Sequence, residues 1–179
     1  WCERVYSPWP DLDKVMREKN LPLFALESQD PIRDFDFLGI TIQYEMCYTN
    51  ILQVLDLSGI PLRAADRGES FPLVMGGGPC TYNPEPLAPF FDLFYIGEGE
   101  TVFLDAYKEY KKAGKSKKEF LERAAEIPGI YVPCFYDTAY KEDGTIASFR
   151  PNNPHAKEKI EKQVVMDVTN TYYPDKPVV

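Results

Sequence analysis

Apolar positions along this chain fall into short runs that each stop on a breaker. The runs at 73–75 and 93–96 carry no polar alternation and end on Gly76 and Gly97. Such runs suit strands buried on both faces of a parallel sheet. A third run at 37–42 reads as a central strand, entered through the polar turn at 32–36. Between them the spacing changes to the helical period. Leu12, Val15 and Met16 share one face of a helix over 12–19. Tyr48, Ile51, Leu52 and Leu55 do so over 45–58, where Gly59 and Pro61 stop the helix. Phe103, Ala106, Tyr107 and Tyr110 line a helix over 101–112, and 117–126 gives another, ended by Pro128 and Gly129. Two further strands are expected at 2–6 and, as an edge strand crowded by Pro22 and Pro31, at 23–26.

This alternation predicts an α/β fold: an open, mainly parallel sheet with helices on both faces, Rossmann-like or flavodoxin-like, over residues 1–127. The chain starts at Trp1 inside what reads as a strand, so the first strand and helix of such a fold are expected to be missing. From about residue 128 the texture differs. Segments 130–140 and 145–150 flank Lys141-Glu-Asp-Gly144, a hairpin signal. A last strand is expected at 162–169, and 172–179 reads as a connection leading onward. Residues 128–179 are thus expected to be a small β-hairpin extension and linker.

Composition narrows the classes of function. With 179 residues, 44% of them hydrophobic, the chain can bury a full core. A net charge of −8 argues against nucleic acid as a direct partner, because phosphate binding needs a clustered basic surface. The one basic cluster, Lys108, Lys111, Lys112, Lys115, Lys117 and Lys118, reads as a solvated helix end. No apolar run approaches the roughly 18 residues that span a bilayer. Cys2, Cys47, Cys80 and Cys134 stand too far apart for a zinc or iron–sulfur set. Reduced thiols in a cytoplasmic protein are expected.

Candidate chemistry is sparse. His155 is the single histidine and sits in a loop by composition, so Ser-His-Asp and Cys-His hydrolase arrangements are weakly supported. No catalytic residue and no metal ligand is assigned. Cys47 and Cys80 lie near the strand ends, as ligand contacts or as small core residues. Gly76, Gly77 and Gly78, followed by Pro79, form either a tight strand exit or a place where a ligand lies against bare backbone. Thr41, Gln43 and Tyr44 offer polar atoms at the end of the central strand, as ligand contacts or as an ordinary cap and turn. Gly97 and Glu98 open a second glycine loop. Its carboxylates repel phosphate, which excludes a nucleotide cradle, and suit the positive end of a helix. Neither GxGxxG nor GxxxxGK[ST] occurs.

Taken together, Met75-Gly-Gly-Gly-Pro, Asn83-Pro-Glu-Pro and Asp92-Leu-Phe-Tyr-Ile-Gly-Glu-Gly-Glu100 resemble the later half of the cobalamin (B12)-binding-like domain that precedes many radical SAM proteins. Trp1-Cys-Glu-Arg-Val-Tyr-Ser-Pro-Trp9, Leu23-Phe-Ala-Leu-Glu-Ser28 and Leu38-Gly-Ile-Thr-Ile-Gln-Tyr-Glu45 are similar to one bacterial branch of such proteins. The resemblance implies a B12-binding-like fold and an accessory domain that caps its own downstream radical SAM barrel. It implies glycines such as Gly76 and Gly77 against cobalamin, with Thr41-Ile-Gln43 loosely in the place of a Ser-x-Leu element. The Asp-x-His-x-x-Gly motif that supplies an axial histidine is absent. So is the three-cysteine motif, which places the [4Fe–4S] cluster and SAM in a downstream domain. Two readings follow, a domain that holds cobalamin and a degenerate scaffold that holds no cofactor and helps select substrate. A free-standing flavodoxin-like protein is a third.

Overall fold

A short apolar run becomes a strand only where a neighbour supplies a hydrogen-bond ladder, and the computed structural model shows which runs have one. It describes residues 2–69, 72–100, 102–114 and 116–171. Trp1, Lys115, the expected start of a helix at Thr101 and the expected connection at 172–179 lie outside these.

Four strands, β1 (Phe37–Thr41), β2 (Leu73–Gly77), β3 (Leu93–Tyr95) and β4 (Ile130–Tyr131), form one mainly parallel sheet in the order β1-β2-β3-β4. It is flanked by the helices α1 (Pro10–Lys19), α2 (Tyr48–Leu57), α3 (Val102–Lys112) and α4 (Lys117–Ala125). This is an α/β fold consistent with the Rossmann-like class. β1 and β2 pair in parallel, from Phe37 opposite Leu73 to Thr41 opposite Gly77. A separate antiparallel hairpin, β5 (Tyr136–Tyr140) and β6 (Ile146–Pro151), follows.

Five expectations are corrected. Segment 130–140 is not one arm of the hairpin: its first residues form β4, antiparallel to β3. Pro133 then opens a 3₁₀ turn, Pro133–Phe135, before β5 begins. Segment 23–26 is no strand. Leu23 and Ala25 are buried, but among the described residues the pairing is an isolated bridge between Phe24 and Pro31. It stops because the chain turns back at once, Gln29 N–H donating to the Ala25 carbonyl, while Leu26 N–H leaves for the Arg4 carbonyl. Residues 2–6 run irregularly beside it, because Glu27 takes both the Arg4 N–H at 2.8 Å and its guanidinium at 2.7 Å. Segment 162–169 makes one bridge, Gly97 with Gln163. The Asp167 carboxylate then accepts the Thr169 N–H and curls the chain into the 3₁₀ turn Val168–Asn170. The helix expected from residue 45 starts with a 3₁₀ turn, Glu45–Cys47, and becomes α-helical at Tyr48.

The chain divides into two compact units, Trp1–Asp92 and Leu93–Val179. The core of the first holds Met16, Ile42, Leu55, Val74 and Phe91. Within it lies a buried ion pair. Arg67 Nη2 is 3.2 Å from Asp92 Oδ2, and both side chains are almost fully buried. Arg67 also donates to the carbonyls of Pro61, Leu62 and Phe90, each at 3.0 Å, and Asp92 accepts the Val74 N–H at 2.8 Å. One guanidinium therefore ties the 61–67 loop, the 88–90 turn and the start of β2 together. Burial pulls its pKa below the usual arginine value and Asp92 opposes the shift.

In the second unit Tyr110 meets Phe120 edge-on at 5.5 Å. Tyr131 packs against Phe94, Tyr136 and Phe149, with Tyr136 stacked on Phe149 at 5.2 Å. This ring cluster is what fastens the hairpin. Of the lysine cluster, Lys108 pairs with Asp105 and Lys112 with Glu109 on the exposed side of α3, whereas the Lys117 amine, on α4, is buried.

Candidate functional site

The exit of β2 is built from two strands that end side by side. Ile42 N–H donates to the Gly77 carbonyl at 2.7 Å, and Cys80 N–H donates to the Ile42 carbonyl at 3.1 Å. The chain turns between them at Gly78, whose φ of +104° is a region that side chains avoid. A Cβ there would stand 2.9 Å from the Ile42 carbonyl oxygen. Thr81 closes the turn by donating its hydroxyl to the Gly78 carbonyl at 2.7 Å. Gly78 is therefore required by the strand exit itself. Gly76 is buried in the ladder opposite Ile40.

Gly77 is different. It has no positive φ, and a Cβ built on it meets nothing within 4 Å. Alternation along the paired strands puts Gly77, Thr41, Gly39 and Met75 on one face. Gly39 is exposed, and a Cβ there also meets nothing within 4 Å. The opposite face carries Leu38, Val74 and Gly76, all buried. At the carboxyl end of these parallel strands lies a shelf of bare backbone, framed by Thr41 and Met75. Gly39 escaped the sequence reading, although a glycine inside a strand run is itself a sign of close approach.

Gln43 and Tyr44 are exposed just beyond β1, and Pro79 is exposed at the start of its 3₁₀ turn. Tyr44 is held by Cys47, and their hydrogen bond raises the Tyr44 hydroxyl pKa. Tyr48 is raised too, first by burial and then by the neighbouring Cys80. Each of the two cysteines thus has a tyrosine partner. Among the described residues no group of three or more His, Cys, Asp and Glu is placed to hold a metal ion.

The exit of β3, in the second unit, has been filled. Gly97 has a φ of +115°, and a Cβ on it would collide with the Gln163 backbone. Gln163 donates its N–H to the Ile96 carbonyl and accepts the Glu98 N–H, both at 3.0 Å. The Glu98 carboxylate accepts the Val165 N–H at 2.5 Å, and the Tyr95 hydroxyl donates to the Glu98 carbonyl. Residues 163–165 form a strap over this loop, and no sequence signal marked Gln163 for it. His155 serves the same unit: its Nδ1 is 2.7 Å from Glu126 Oε1, beside Lys157, which donates to the Glu126 carbonyl at the end of α4.

A family model described as radical SAM proteins, N-terminal, matches residues 1–133. An uncharacterized protein of Methanocaldococcus jannaschii is 32% identical over 139 residues, which cover 69% of this chain and 30% of that protein. The chain thus spans less than a third of that relative's length. No solved structure matches. No helix among the described residues is long and apolar enough to cross a membrane.

Proposed function

The chain belongs to the family of radical SAM protein N-terminal regions, and from that premise we propose that it is an accessory domain, non-catalytic by itself, that caps the radical SAM barrel of a longer polypeptide. The [4Fe–4S] cluster and SAM belong to that barrel. The domain's ligand-facing part is the shelf of Gly39, Thr41 and Gly77, edged by Gln43, Tyr44 and Pro79. The observation that carries this reading is the open space over Gly77. Strand geometry requires glycine at Gly78 but not at Gly77, and ligands of open α/β sheets bind at this edge. The loop of Gly97 and Glu98 is left out of the ligand site, because the strap at Gln163 accounts for its glycine.

The cofactor suggested by the resemblance fits in one respect. Bare backbone at Gly77 leaves room for part of cobalamin, with Thr41 and Gln43 as hydrogen-bond partners at its rim. In this role cobalamin is a carrier of methyl groups. Residues 1–92 contain no histidine, so this unit offers the cobalt no imidazole. That absence favours the second reading, a scaffold that holds no cofactor.

One titration separates them. Hydroxocobalamin is added to the complete, iron-reconstituted protein and to its Gly77→Val variant, and the absorbance is followed. Saturable binding that Gly77→Val abolishes supports the cofactor domain. No saturable binding in either, with SAM still cleaved, supports the scaffold. A stoichiometric iron–sulfur cluster in residues 1–179 alone would overturn the assignment of the chemistry to the barrel.

A further inference from the structure

A second surface of the first unit is shaped for a partner. The segment 6–9, the first turns of α1 and residues 23–26 enclose a groove of about 400 Å³. Its floor is Met16 and Leu23, both buried. Its rim is apolar and bare: Trp9 is 81% exposed, Tyr6 66%, Leu26 48% and Leu12 47%. Contiguous exposed apolar residues of this kind mark interaction sites, and Trp and Tyr are the residues that dominate interface energetics.

The groove walls are held in place before any partner arrives. Ser7 Oγ donates to Gln53 Oε1 at 2.8 Å, and Gln53 Nε2 donates to Asp13 at 2.6 Å. Asp13 is in turn bound by Arg17, which also reaches Asp56 at 2.7 Å. On the other side Leu26 N–H donates to the Arg4 carbonyl at 2.9 Å, and Arg4 pairs with Glu27. These polar clamps fix the backbone under Tyr6 and Trp9 while both rings stay in water. A pre-ordered apolar rim lowers the entropy cost of docking.

We infer that this groove is the seat of the radical SAM part of the same polypeptide, which docks through an apolar segment carrying a basic residue. The inference rests on the accessory-domain reading above. Two observations select this occupant. The matched family is the N-terminal part of radical SAM proteins, and the match covers only 30% of the relative, so a large body of chain for the unit to pack against is expected. The rim also carries Asp11, whose carboxylate takes only the Leu12 N–H at 2.9 Å among the described residues. An exposed carboxylate at an apolar rim selects a lysine or arginine opposite it.

The test compares amide hydrogen exchange in the complete protein and in residues 1–179 alone. Exchange at 6–12 and 23–26 is expected to slow at least tenfold in the complete protein. When the barrel part and residues 1–179 are mixed as separate chains, Trp9→Ala is expected to raise their Kd by about 30-fold or more, the scale of a buried aromatic anchor. Asp11→Asn should raise it less and flatten its salt dependence. Trp9 is exposed here, so the variant's thermal unfolding should match that of the unaltered chain and confirm an intact fold. Protection confined to other surfaces, or a Kd unmoved by Trp9→Ala, overturns this docking site and leaves the cap reading standing. No protection anywhere and no association overturns both.

Discussion

The exits of β2 and β3 read alike in the sequence, each an apolar run stopping on glycine, yet the molecule uses them in opposite ways. After β2, one glycine serves the turn and its neighbour Gly77 is left facing open space. After β3, the space that Gly97 leaves is taken by the backbone of Gln163, which arrives from more than sixty residues away and bonds on both sides. A missing Cβ leaves room in both places, and what fills it differs: nothing within 4 Å at Gly77, the chain itself at Gly97. A glycine-ended strand therefore marks available space, and only the long-range partner tells an open edge from packing.

The largest expected effect strikes the support of the β2 exit alone. Arg67→Ala leaves Asp92 buried without its cation, and unfolding in urea should show a loss of about 3–5 kcal/mol. Replacing both residues with leucine should recover only part of it, since the carbonyls of Pro61, Leu62 and Phe90 and the Val74 N–H would then lose their partners. A loss below about 1 kcal/mol for Arg67→Ala would mean that the pair does not hold β2.

Next comes the β3 exit. Gly97→Ala puts a side chain at a left-handed φ and against the Gln163 backbone, and should cost about 2 kcal/mol or more. Faster hydrogen exchange at residues 163–165 should accompany it. Gly77→Ala is the matched control. It meets nothing within 4 Å and has an ordinary φ, so its stability should stay within about 1 kcal/mol of the parent chain. Equal losses for the two alanines would erase the contrast between the exits.

The smallest effect is one of pH. Burial, then the charges of Glu100 and Glu98, push the Tyr95 hydroxyl up to about 12 from the usual 10. Its folded pKa lies above the unfolded one. The stability it contributes is therefore whole below pH 10 and is lost as the pH climbs through 12. Tyrosinate absorbance should show a component titrating near 12, and Tyr95→Phe should remove it. A Tyr95 that ionises with the bulk of the tyrosines would mean that the strap leaves it solvated.

How much of this was legible depended on whether the cause was local. The helices, the three buried runs that became β1, β2 and β3, and the hairpin turn at Lys141-Glu-Asp-Gly144 were readable, because period and turn chemistry act within a few residues. The stripes were read only in part, since Phe103 and Tyr107 on α3 and Leu12 and Val15 on α1 are exposed. The runs at 2–6 and 23–26 misled for the converse reason. Leu23 and Ala25 are buried, but Cys2, Tyr6 and Leu26 are exposed, and no neighbouring strand supplies a ladder: the Arg4 N–H goes to the Glu27 carboxylate and the Ala25 N–H to the Asp30 carbonyl.

By itself, then, the sequence determined the α/β alternation, the glycine-ended exits and the scarcity of catalytic groups, all properties of composition and near-neighbour spacing. Only the tertiary structure decided that β4 joins the sheet, that Arg67 meets Asp92, that Gln163 fills one exit and that Gly39 and Gly77 bare the other. Each of these depends on segments 18 or more residues apart meeting in space. Neither partner's local pattern carries that information, because burial and hydrogen bonding reward the pair rather than either residue alone.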